Sequence, residues 1–502
     1  MNSGKVCVTV CAATADEFNE KIKTASGLAD LTELRFDCLD ENEFERIEIP
    51  FNENFIQTFR PADQGGARKL NIEDRRDFWN TTGDFCGADL EEDVVENALF
   101  RGFRPKICSF HDFSGVPADL PEIFERLAAT GCDVVKLAVR ADDAVDSIAV
   151  WNLLDLAHSR GVAVIPIAMG ESGKWTRILG LAHGAYLTYA SLETGSETAP
   201  GQISVRDMID VYRVKELDRD THIYGIIGGG TSHSMSPYIH NAVFRENAEN
   251  AVFVPFQGSD VDAFFRRFVN PETREVDLDL RGFAVTIPHK QAVIPHLDEI
   301  DDTAAAVGAV NTIRIDGGKL YGSNTDAAGF IAPLLRRLKD LNGANVAVIG
   351  AGGAARACVH ALLREGAGVT VFARDPQKAE ALAAEFGARS AVLPDLAELP
   401  GRSFSEFDIL VNATPLGMSG KAEGKTPAQA RHLAGLKLVY DLIYTPLETP
   451  LLIEAAAAGV ETLGGLEMLI AQAAEQQFIW TGRRPSPELM HRAAIERLFR
   501  KN

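Results

Sequence analysis

Residues 5–189 repeat one pattern, in which a short apolar segment rich in β-branched residues is followed in most cases by a segment of helical composition. Two helical segments, 119–130 and 145–160, end at Gly131 and Gly161, where glycine favours the end of a helix. Eight such strand–helix units predict a closed parallel (β/α)8 barrel of the TIM type. The predicted strands are 5–11, 31–37, 55–60, 87–92, 105–111, 132–138, 162–168 and 185–189.

Chargeable side chains lie at the carboxyl ends of these strands, where barrel enzymes place their chemistry. They are Glu33, Arg35, Arg60, Glu91, His111 and Lys136. Lys136 is flanked by valines and leucine, and burial there favours the neutral amine that a nucleophile needs. A lysine that extends its ammonium group to solvent is the alternative. His111 fits an acid/base role beside Lys136, or a hydrogen-bonded core histidine.

A second organisation begins near Thr221, after a charged stretch at 205–220 that we take as the domain boundary. Here the apolar segment 345–349 leads into a glycine-rich turn and a helical segment, a pattern that binds a pyrophosphate at a helix N-terminus. The predicted cofactor residues of this turn are Gly350, Ala351, Gly352, Gly353 and Ala354.

The next predicted strand ends at Arg374, where an NAD-binding protein would place a carboxylate. A guanidinium group suits the 2′-phosphate of NADP instead, with Lys378 as a second cation. Asp375 keeps NAD as an alternative. Arg374 as a solvent-exposed residue at a helix start is the structural alternative.

Charge and cysteine content narrow the function classes. The 502 residues carry 50 Lys plus Arg against 71 Asp plus Glu, and a net charge of −21 disfavours binding to nucleic acid or anionic lipid. The seven cysteines include no C-x-x-C pair and indicate neither a disulfide framework nor a zinc site, and Cys7 and Cys11 are expected in a buried strand. Without an 18-residue apolar run, we expect a soluble cytoplasmic protein.

The motifs of the first half follow a known order and spacing. In TELRFD, QTFRPADQGG, ADLEED, CSFHDF, DVVKLAV, IAMGESGKWTR and TAPGQIS, residues 1–214 resemble type I 3-dehydroquinate dehydratase. The resemblance implies that Lys136 forms an imine with the substrate ketone, that His111 moves the proton, and that Glu91 orients His111. It also implies substrate contacts from Glu33, Arg35, Arg60, Arg177, Thr198 and Gln202. The sequence departs from the family at Gln64, normally an acid, and at Thr176 and Thr198, normally serines.

The second half carries SHSMSPYIHN, GFAVTIPHK, VGAVNTI, GSNTDAAGF, NATPLGM, DLIYTP and GGLEMLIAQAA, and resembles shikimate dehydrogenase. The resemblance implies a substrate-binding domain at 221–327 and a Rossmann NADP-binding domain at 328–502, whose last helices return to the substrate lobe. It makes Lys290 and Asp326 the catalytic pair. It assigns the substrate contacts to Ser234, Ser236, Thr286, Asn311, Tyr444 and Gln472. It assigns further cofactor contacts to Thr414, Leu442 and Gly465. Ala284 and Ser323 depart from the family pattern.

The two resemblances are linked, because the dehydratase product is the dehydrogenase substrate. Together they imply conversion of 3-dehydroquinate to 3-dehydroshikimate and then, with NADPH and no metal, to shikimate, by a monomer or homodimer with small-molecule partners only. Two alternatives stay open. The second half could oxidise quinate or shikimate with NAD, or the chain could be a catalytically dead metabolite sensor. Retention of Lys136, His111, Lys290 and Asp326 argues against the sensor.

Overall fold

The structure is a computed structural model that describes residues 2–48, 54–82, 86–95, 102–231, 234–393, 404–420 and 422–500. The chain forms two compact units. The first comprises residues 1–237 and 248–280, and the second comprises residues 238–247 and 281–502.

A barrel of eight parallel strands, counted over the described residues, forms the larger part of the first unit. The predicted barrel is therefore confirmed. The strands pair in chain order from β1 to β7, β8 pairs with β1, and a backbone hydrogen bond from Tyr186 N–H to the Val164 carbonyl (2.9 Å) bridges the remaining gap. They are β1 (Lys5–Val10), β2 (Leu31–Arg35), β3 (Phe55–Thr58), β4 (Gly87–Glu91), β5 (Lys106–Asp112), β6 (Val134–Arg140), β7 (Ala163–Met169) and β8 (Leu187–Ala190).

Amphipathic helices cover the barrel. In α4 the buried residues Leu120, Ile123, Phe124 and Leu127 follow the spacing of one helix face. The single helix predicted at 145–160 is divided into α5 and α6 at Asn152, and Gly161 ends it in the left-handed conformation as predicted. The helices are α1 (Ala15–Ser26), α2 (Ile72–Thr81), α3 (Glu92–Val95), α4 (Leu120–Ala128), α5 (Ser147–Trp151), α6 (Leu153–Arg160) and α7 (Lys174–Leu179).

Two further parallel strands pack with the barrel in the first unit. They are β9 (His222–Gly228) and β10 (Ala251–Gln257). Trp175 of α7 is fully buried, with its ring centroid 6.0 Å from that of Phe256 and 5.3 Å from that of Phe268. The helices that flank β10 in sequence are α8 (Ser236–Glu246) and α9 (Val261–Phe264).

The second unit contains an antiparallel group and a parallel sheet. In the antiparallel group, β11 (Leu280–Val285) pairs with β13 (Thr312–Asp316), which pairs with β14 (Lys319–Ser323); β12 (Glu299–Ile300) runs parallel to β14. Helix α10 (Asp302–Val307) lies between β12 and β13 in sequence, and α11 (Thr325–Leu338) leads to the parallel sheet.

The parallel sheet has the order β17-β16-β15-β18-β19-β20 among the described residues, which is the 3-2-1-4-5-6 order of a Rossmann fold. Alternate residues of β15 enter hydrophobic clusters on opposite faces, as a doubly covered sheet requires. The strands are β15 (Asn345–Ile349), β16 (Gly368–Ala373), β17 (Arg389–Val392), β18 (Ile409–Asn412), β19 (Leu438–Asp441) and β20 (Glu461–Leu463). The helices are α12 (Gly353–Arg364), α13 (Pro376–Phe386), α14 (Ala430–Leu433), α15 (Pro450–Ala457), α16 (Gly465–Thr481) and α17 (Pro487–Arg500).

The cysteine prediction was wrong at one pair. Cys11 follows β1 rather than lying within it, and it forms a disulfide with Cys38, which follows β2, with their Cα atoms 5.4 Å apart. Neighbouring parallel strands bring their ends together, so residues distant in sequence meet there. In the part of the chain that the structure describes, no helix combines the length and the apolar character needed to cross a bilayer.

Candidate active sites

A pocket opens at the carboxyl ends of the barrel strands. Almost all the side chains that the sequence assigned to the dehydratase line it together: Glu33, Arg35, Arg60, His111, Lys136, Arg177, Thr198 and Gln202. Gln64, Phe113, Met169 and Tyr189 complete much of the wall. Of the six side chains predicted at strand ends, five line this pocket, and Glu91 is not among its lining residues.

Lys136 is buried on β6, and three groups surround its ammonium group. Asp89 Oδ2 lies 2.7 Å from Lys136 Nζ, Glu33 Oε1 lies 3.8 Å away, and the ring centroid of Tyr189 lies 4.1 Å away. Burial lowers the pKa of Lys136, and the carboxylate of Asp89 partly opposes this shift. The amine therefore loses its proton more readily than an exposed lysine does.

Asp89 was missed by the sequence analysis, although it connects two of the predicted residues. Its second oxygen, Oδ1, lies 2.7 Å from Arg60 Nη2, and its side chain is fully buried. Burial raises its pKa, but the charges of Arg60 and Lys136 outweigh that effect and hold the pKa below its usual value. Asp89 is two residues before Glu91 and therefore shares its strand face, and this spacing was the available signal.

His111 lies on β5 against the guanidinium of Arg60. Arg60 Nη1 contacts both ring nitrogens of His111, at 3.0 Å for Nδ1, and the backbone N–H of His111 donates to Gln64 Oε1 (3.0 Å). Burial and the charges of Arg60 and Lys136 lower the pKa of His111 well below its usual value. The imidazole is therefore neutral near pH 7 and able to accept a proton.

Glu91 does not orient His111 as expected. Its carboxylate lies 3.2 Å from Arg75 Nη1 and 3.6 Å from Arg60 Nε, and among the described residues it makes no hydrogen bond to the imidazole. Burial raises the pKa of Glu91 to about 7. Arg75 reaches Glu91 from α2, so Glu91 connects that helix to the site, and Arg60 contacts both Glu91 and His111.

Glu33 and Arg35 end β2 on the same face. Thr9 and Thr58 donate hydroxyl hydrogen bonds to Glu33, at 2.8 and 2.9 Å, and fix its carboxylate. Arg35 makes two parallel bonds of 2.8 Å to Asp37 and a third to the Gly65 carbonyl. Arg35 therefore enters the pocket already paired with a carboxylate.

Arg177 has a different environment. It is buried on α7, its Nη2 donates to the Pro200 carbonyl at 3.3 Å, and no carboxylate among the described residues pairs with it. Burial lowers its pKa to about 10. Nearby, Gln202 Oε1 accepts the backbone N–H of Thr198 (2.8 Å) and orders that loop. A buried cation without a counter-ion is a site for an anionic ligand group.

Lys290 and Asp326, the catalytic pair predicted for the second half, are also in contact. Lys290 Nζ lies 2.5 Å from Asp326 Oδ2, and Asn311 Nδ2 donates to Asp326 Oδ1 (2.8 Å). The amide of Asn311 in turn bonds Thr325 and Thr312. The N-cap of α11 is Asn324 rather than Asp326, so the Asp326 carboxylate is left to bind Lys290.

The other predicted substrate residues lie on separate elements. In the second unit, Gln472 is buried on α16 and packs against Gly329, where a Cβ atom would lie 2.5 Å from that of Gln472. Thr286 and Tyr444 are partly buried in the same unit. In the first unit, the backbone N–H of Ser236 donates to Ser234 Oγ (3.2 Å), which orders the start of α8.

The glycine-rich turn follows β15 at the point where the strand order of the sheet reverses, the usual ligand position in such sheets. Gly350 has φ +126°, and a Cβ atom there would lie 2.9 Å from the Ala413 carbonyl oxygen. Gly352 is the N-cap of α12, and as a glycine it has no side chain that could accept a hydrogen bond from the first turn of the helix. The first N–H groups of this 12-residue helix, which begins with Gly353 and Ala354 and follows Ala351, fit a pyrophosphate.

Residues that follow β18 and β19 lie at the same edge of the parallel sheet as the glycine-rich turn. Asn412 accepts hydrogen bonds from the N–H and hydroxyl of Thr414 and donates to the buried Asp441 (3.0 Å). Leu442 donates its N–H to the Asn412 carbonyl, and a Cβ atom on Gly465 would lie 2.1 Å from the Leu442 carbonyl oxygen. Asn412 and Asp441, which the sequence analysis missed, thus hold Thr414, Leu442 and Gly465 close together.

The end of β16 bears on the choice of nucleotide. Arg374 and Lys378 are exposed at the start of α13. Asp375 is the N-cap of this helix, and its carboxylate accepts the Gln377 N–H (3.1 Å). The Asp375 carboxylate is therefore engaged in capping, and the two cations beside it are exposed to solvent.

Models of known protein families match both halves of the chain, with a dehydratase model in the first half and dehydrogenase models in the second. The model of type I 3-dehydroquinase matches residues 6–219, and that of the shikimate dehydrogenase substrate-binding domain matches residues 226–313. The models of shikimate/quinate 5-dehydrogenase and of the shikimate 5′-dehydrogenase C-terminal domain match residues 334–418 and 465–495.

Individual relatives cover one or both halves. NADP(+)-dependent shikimate dehydrogenase of Salinibacter ruber is 44% identical over 53% of this chain and 94% of its own length. A crystal structure of shikimate dehydrogenase in complex with NADP+ is 37% identical, covers 56% of this chain and 97% of that chain, and has a TM-score of 0.50. The chloroplastic bifunctional 3-dehydroquinate dehydratase/shikimate dehydrogenase of Arabidopsis thaliana is 34% identical over 98% of this chain and 84% of its own. The chain therefore belongs to the family of bifunctional 3-dehydroquinate dehydratases/shikimate dehydrogenases.

Proposed function

We propose that the barrel dehydrates 3-dehydroquinate through an imine on Lys136 and that the second half reduces the product, 3-dehydroshikimate, to shikimate with NADPH. The observation that carries the first step is the buried contact of Asp89 with Lys136, which lines one pocket together with His111. Both activities are those of the family.

In the dehydratase, the neutral amine of Lys136 attacks the substrate ketone, and water leaves as the imine forms. The protonated imine withdraws electrons and acidifies the neighbouring C–H bond. His111, held neutral beside Arg60, then takes that proton and returns it to the hydroxyl group, which departs as water. A water molecule then hydrolyses the imine, which releases 3-dehydroshikimate and restores the free amine of Lys136. Asp89 lies where its charge stabilises the cationic imine nitrogen.

Arg177 and Glu33 suit the two ends of the substrate. The Arg177 guanidinium matches the substrate carboxylate, because no protein carboxylate among the described residues competes for it. Glu33, oriented by Thr9 and Thr58, suits ring hydroxyls, as do Gln202 and Thr198. Arg35, already paired with Asp37, is proposed to order the pocket wall beside Gly65.

Borohydride trapping tests the imine. Reduction of the chain in the presence of 3-dehydroquinate should leave a stable adduct on Lys136 and on no other lysine, as located by peptide mass spectrometry. Lys106, which begins β5 away from the pocket, serves as the internal control. An unmodified Lys136 under turnover would refute the mechanism.

In the dehydrogenase, Lys290 protonates the oxygen of the substrate ketone as it becomes an alkoxide, and Asp326 holds the lysine in place. Asn311 fixes Asp326, while Ser234, Ser236, Thr286, Tyr444 and Gln472 are the proposed substrate contacts. NADPH, when bound, supplies the hydride. The first N–H groups of α12 suit its pyrophosphate, and Arg374 and Lys378 suit its 2′-phosphate.

Steady-state rates with NADP, NAD, shikimate and quinate separate this proposal from a quinate dehydrogenase. Activity restricted to NAD and quinate would contradict it. The domain limits 1–214, 221–327 and 328–502 belong to the same proposal, and the family-model matches support them. Cytoplasmic location and a monomeric or homodimeric state stay predictions from the sequence.

A further inference from the structure

Asp143 lies in the loop that follows β6 of the barrel, and its carboxylate holds a segment more than a hundred residues later. The backbone N–H groups of Ser259 and Asp260 donate to Asp143 Oδ2, at 2.7 and 3.4 Å, and the Ser259 hydroxyl donates to the same oxygen at 3.3 Å. Beside it, the N–H of Ala144 donates to the Gln257 carbonyl (2.8 Å). The barrel loop therefore fixes the end of β10.

A glycine allows this close approach. A Cβ atom on Gly258 would lie 2.5 Å from Asp143 Oδ1 and 3.0 Å from Oδ2, so no larger residue fits while the carboxylate keeps its position. The N–H of Gly258 donates to the Gly228 carbonyl at the end of β9 (3.1 Å). The ends of β9 and β10 are thus tied to each other and to the barrel.

From the end of β10, a short series of hydrogen bonds leads to the serines at the start of α8. The N–H of Thr231 donates to the side chain of Gln257 (3.2 Å). The Thr231 carbonyl accepts the N–H of Ser234 (3.1 Å), and Ser234 Oγ accepts the N–H of Ser236 (3.2 Å). Each hydrogen bond joins one member of the series to the next.

We propose that Asp143, a residue of the dehydratase barrel, is a positioning residue for the substrate-binding serines of the dehydrogenase. This inference rests on the proposed function, which assigns Ser234 and Ser236 to the substrate. Asp143 itself touches neither serine and acts through Ser259 and Gln257. Lys290, Asp326 and Asn311 are held by contacts of their own, so the loss of Asp143 weakens substrate binding and spares the chemical step.

Kinetic constants of both reactions test the inference in the full chain. Asp143→Ala should raise the KM for shikimate about three- to tenfold, with kcat of the dehydrogenase and kcat/KM of the dehydratase unchanged, because the lost bonds include one to a charged acceptor. Asp143→Asn keeps an oxygen acceptor and should restore most of the affinity. The matched control is Asp142→Ala, because Asp142 is largely exposed and its side chain pairs with Arg140.

Gly258→Ala supplies a second, independent variant. It displaces the Asp143 carboxylate and should raise the shikimate KM by a similar factor, and the double variant Asp143→Ala/Gly258→Ala should add little, because both changes break one contact. Unchanged shikimate KM values in Asp143→Ala and Gly258→Ala would overturn the inference, as would additive effects in the double variant.

Hydrogen–deuterium exchange separates this inference from the proposed function. In Asp143→Ala, the amides of Ser259 and Thr231 should exchange at least about tenfold faster than in wild type, since their hydrogen bonds are lost or loosened. A wild-type chain that does not oxidise shikimate with NADP would refute the proposed function. The exchange rate of the Thr231 amide in Asp143→Ala would then decide the inference. Unchanged protection of that amide would overturn it.

Discussion

The carboxylate of Asp89 lies 2.7 Å from the ammonium nitrogen of Lys136, and both side chains are buried. The same carboxylate meets Arg60 through its other oxygen. One anion therefore balances two buried cations, one of which is the proposed nucleophile and the other of which contacts the proposed base, His111. This arrangement sets the pKa values on which the proposed chemistry depends.

Asp89→Asn should impair both stability and dehydration. Removing one partner of a buried ion pair leaves uncompensated charge and costs about 3–5 kcal/mol of unfolding free energy. We expect the dehydratase kcat to fall by at least about tenfold, because the cationic imine loses its counter-ion. Asp93→Asn is the control, since Asp93 is about half exposed and pairs with Arg75. Denaturant unfolding and steady-state kinetics provide the measurements, and an active, stable Asp89→Asn enzyme would contradict the role.

The pH profile of dehydration should reflect the lowered pKa of His111. Burial and the charges of Arg60 and Lys136 lower this pKa, so the imidazole gives up its proton at a lower pH and is available as a base throughout the neutral range. The acidic limb of kcat, which reports the complex in which Lys136 is already bonded to the substrate, should therefore lie below the ordinary histidine value of about 6.5. Dehydrogenase activity in the same samples shows whether the chain stays folded. A midpoint at or above that value would argue against His111 as the base.

Arg177→Gln should weaken the binding of 3-dehydroquinate without lowering the stability of the fold. Loss of a charge-assisted bond of about 1.5–3 kcal/mol should raise the KM for 3-dehydroquinate about ten- to hundredfold. The melting temperature should not fall, because the substitution removes a buried charge that has no carboxylate partner among the described residues. An unchanged KM would exclude Arg177 from substrate binding.

Arg374→Ala should raise the KM for NADP far more than the KM for NAD. The expected loss is a charge-assisted phosphate contact of about 1.5–3 kcal/mol, which NAD cannot make. Arg389→Ala, at the start of β17 near Asn345, is the matched control. Equal effects of Arg374→Ala on the two cofactors would show that Arg374 does not recognise the 2′-phosphate.

The barrel and most of its site follow from the sequence because their signals are periodic. Strand ends in a parallel barrel converge, so charged residues at several of them predict a shared pocket, as Lys136 and His111 show. Asp89 was missed because ADLEED offers four acids in six residues. Only the contacts show that Asp89 meets Lys136 and that Glu91 meets arginines.

Contacts between distant segments account for the other differences. The Cys11–Cys38 disulfide depends on the distance between two loops, which spacing along the chain does not give. The sequence pattern left Asp375 as an NAD alternative, and the structure shows its carboxylate capping α13. The tie from Asp143 to Ser259 joins the two halves of the sequence, so neither family pattern predicts it.

We propose that one chain carries out both reactions with two separate lysines, and NADPH oxidation started by 3-dehydroquinate measures the two reactions together. The wild-type chain should oxidise NADPH, and Lys136→Ala and Lys290→Ala should each fail. Lys136→Ala should still act on 3-dehydroshikimate, and an equal mixture of the two variants should regain the coupled reaction, which also shows that both are folded. A Lys136→Ala chain that still couples 3-dehydroquinate to NADPH oxidation would contradict the assignment of the two lysines, as would a mixture of the two variants that does not.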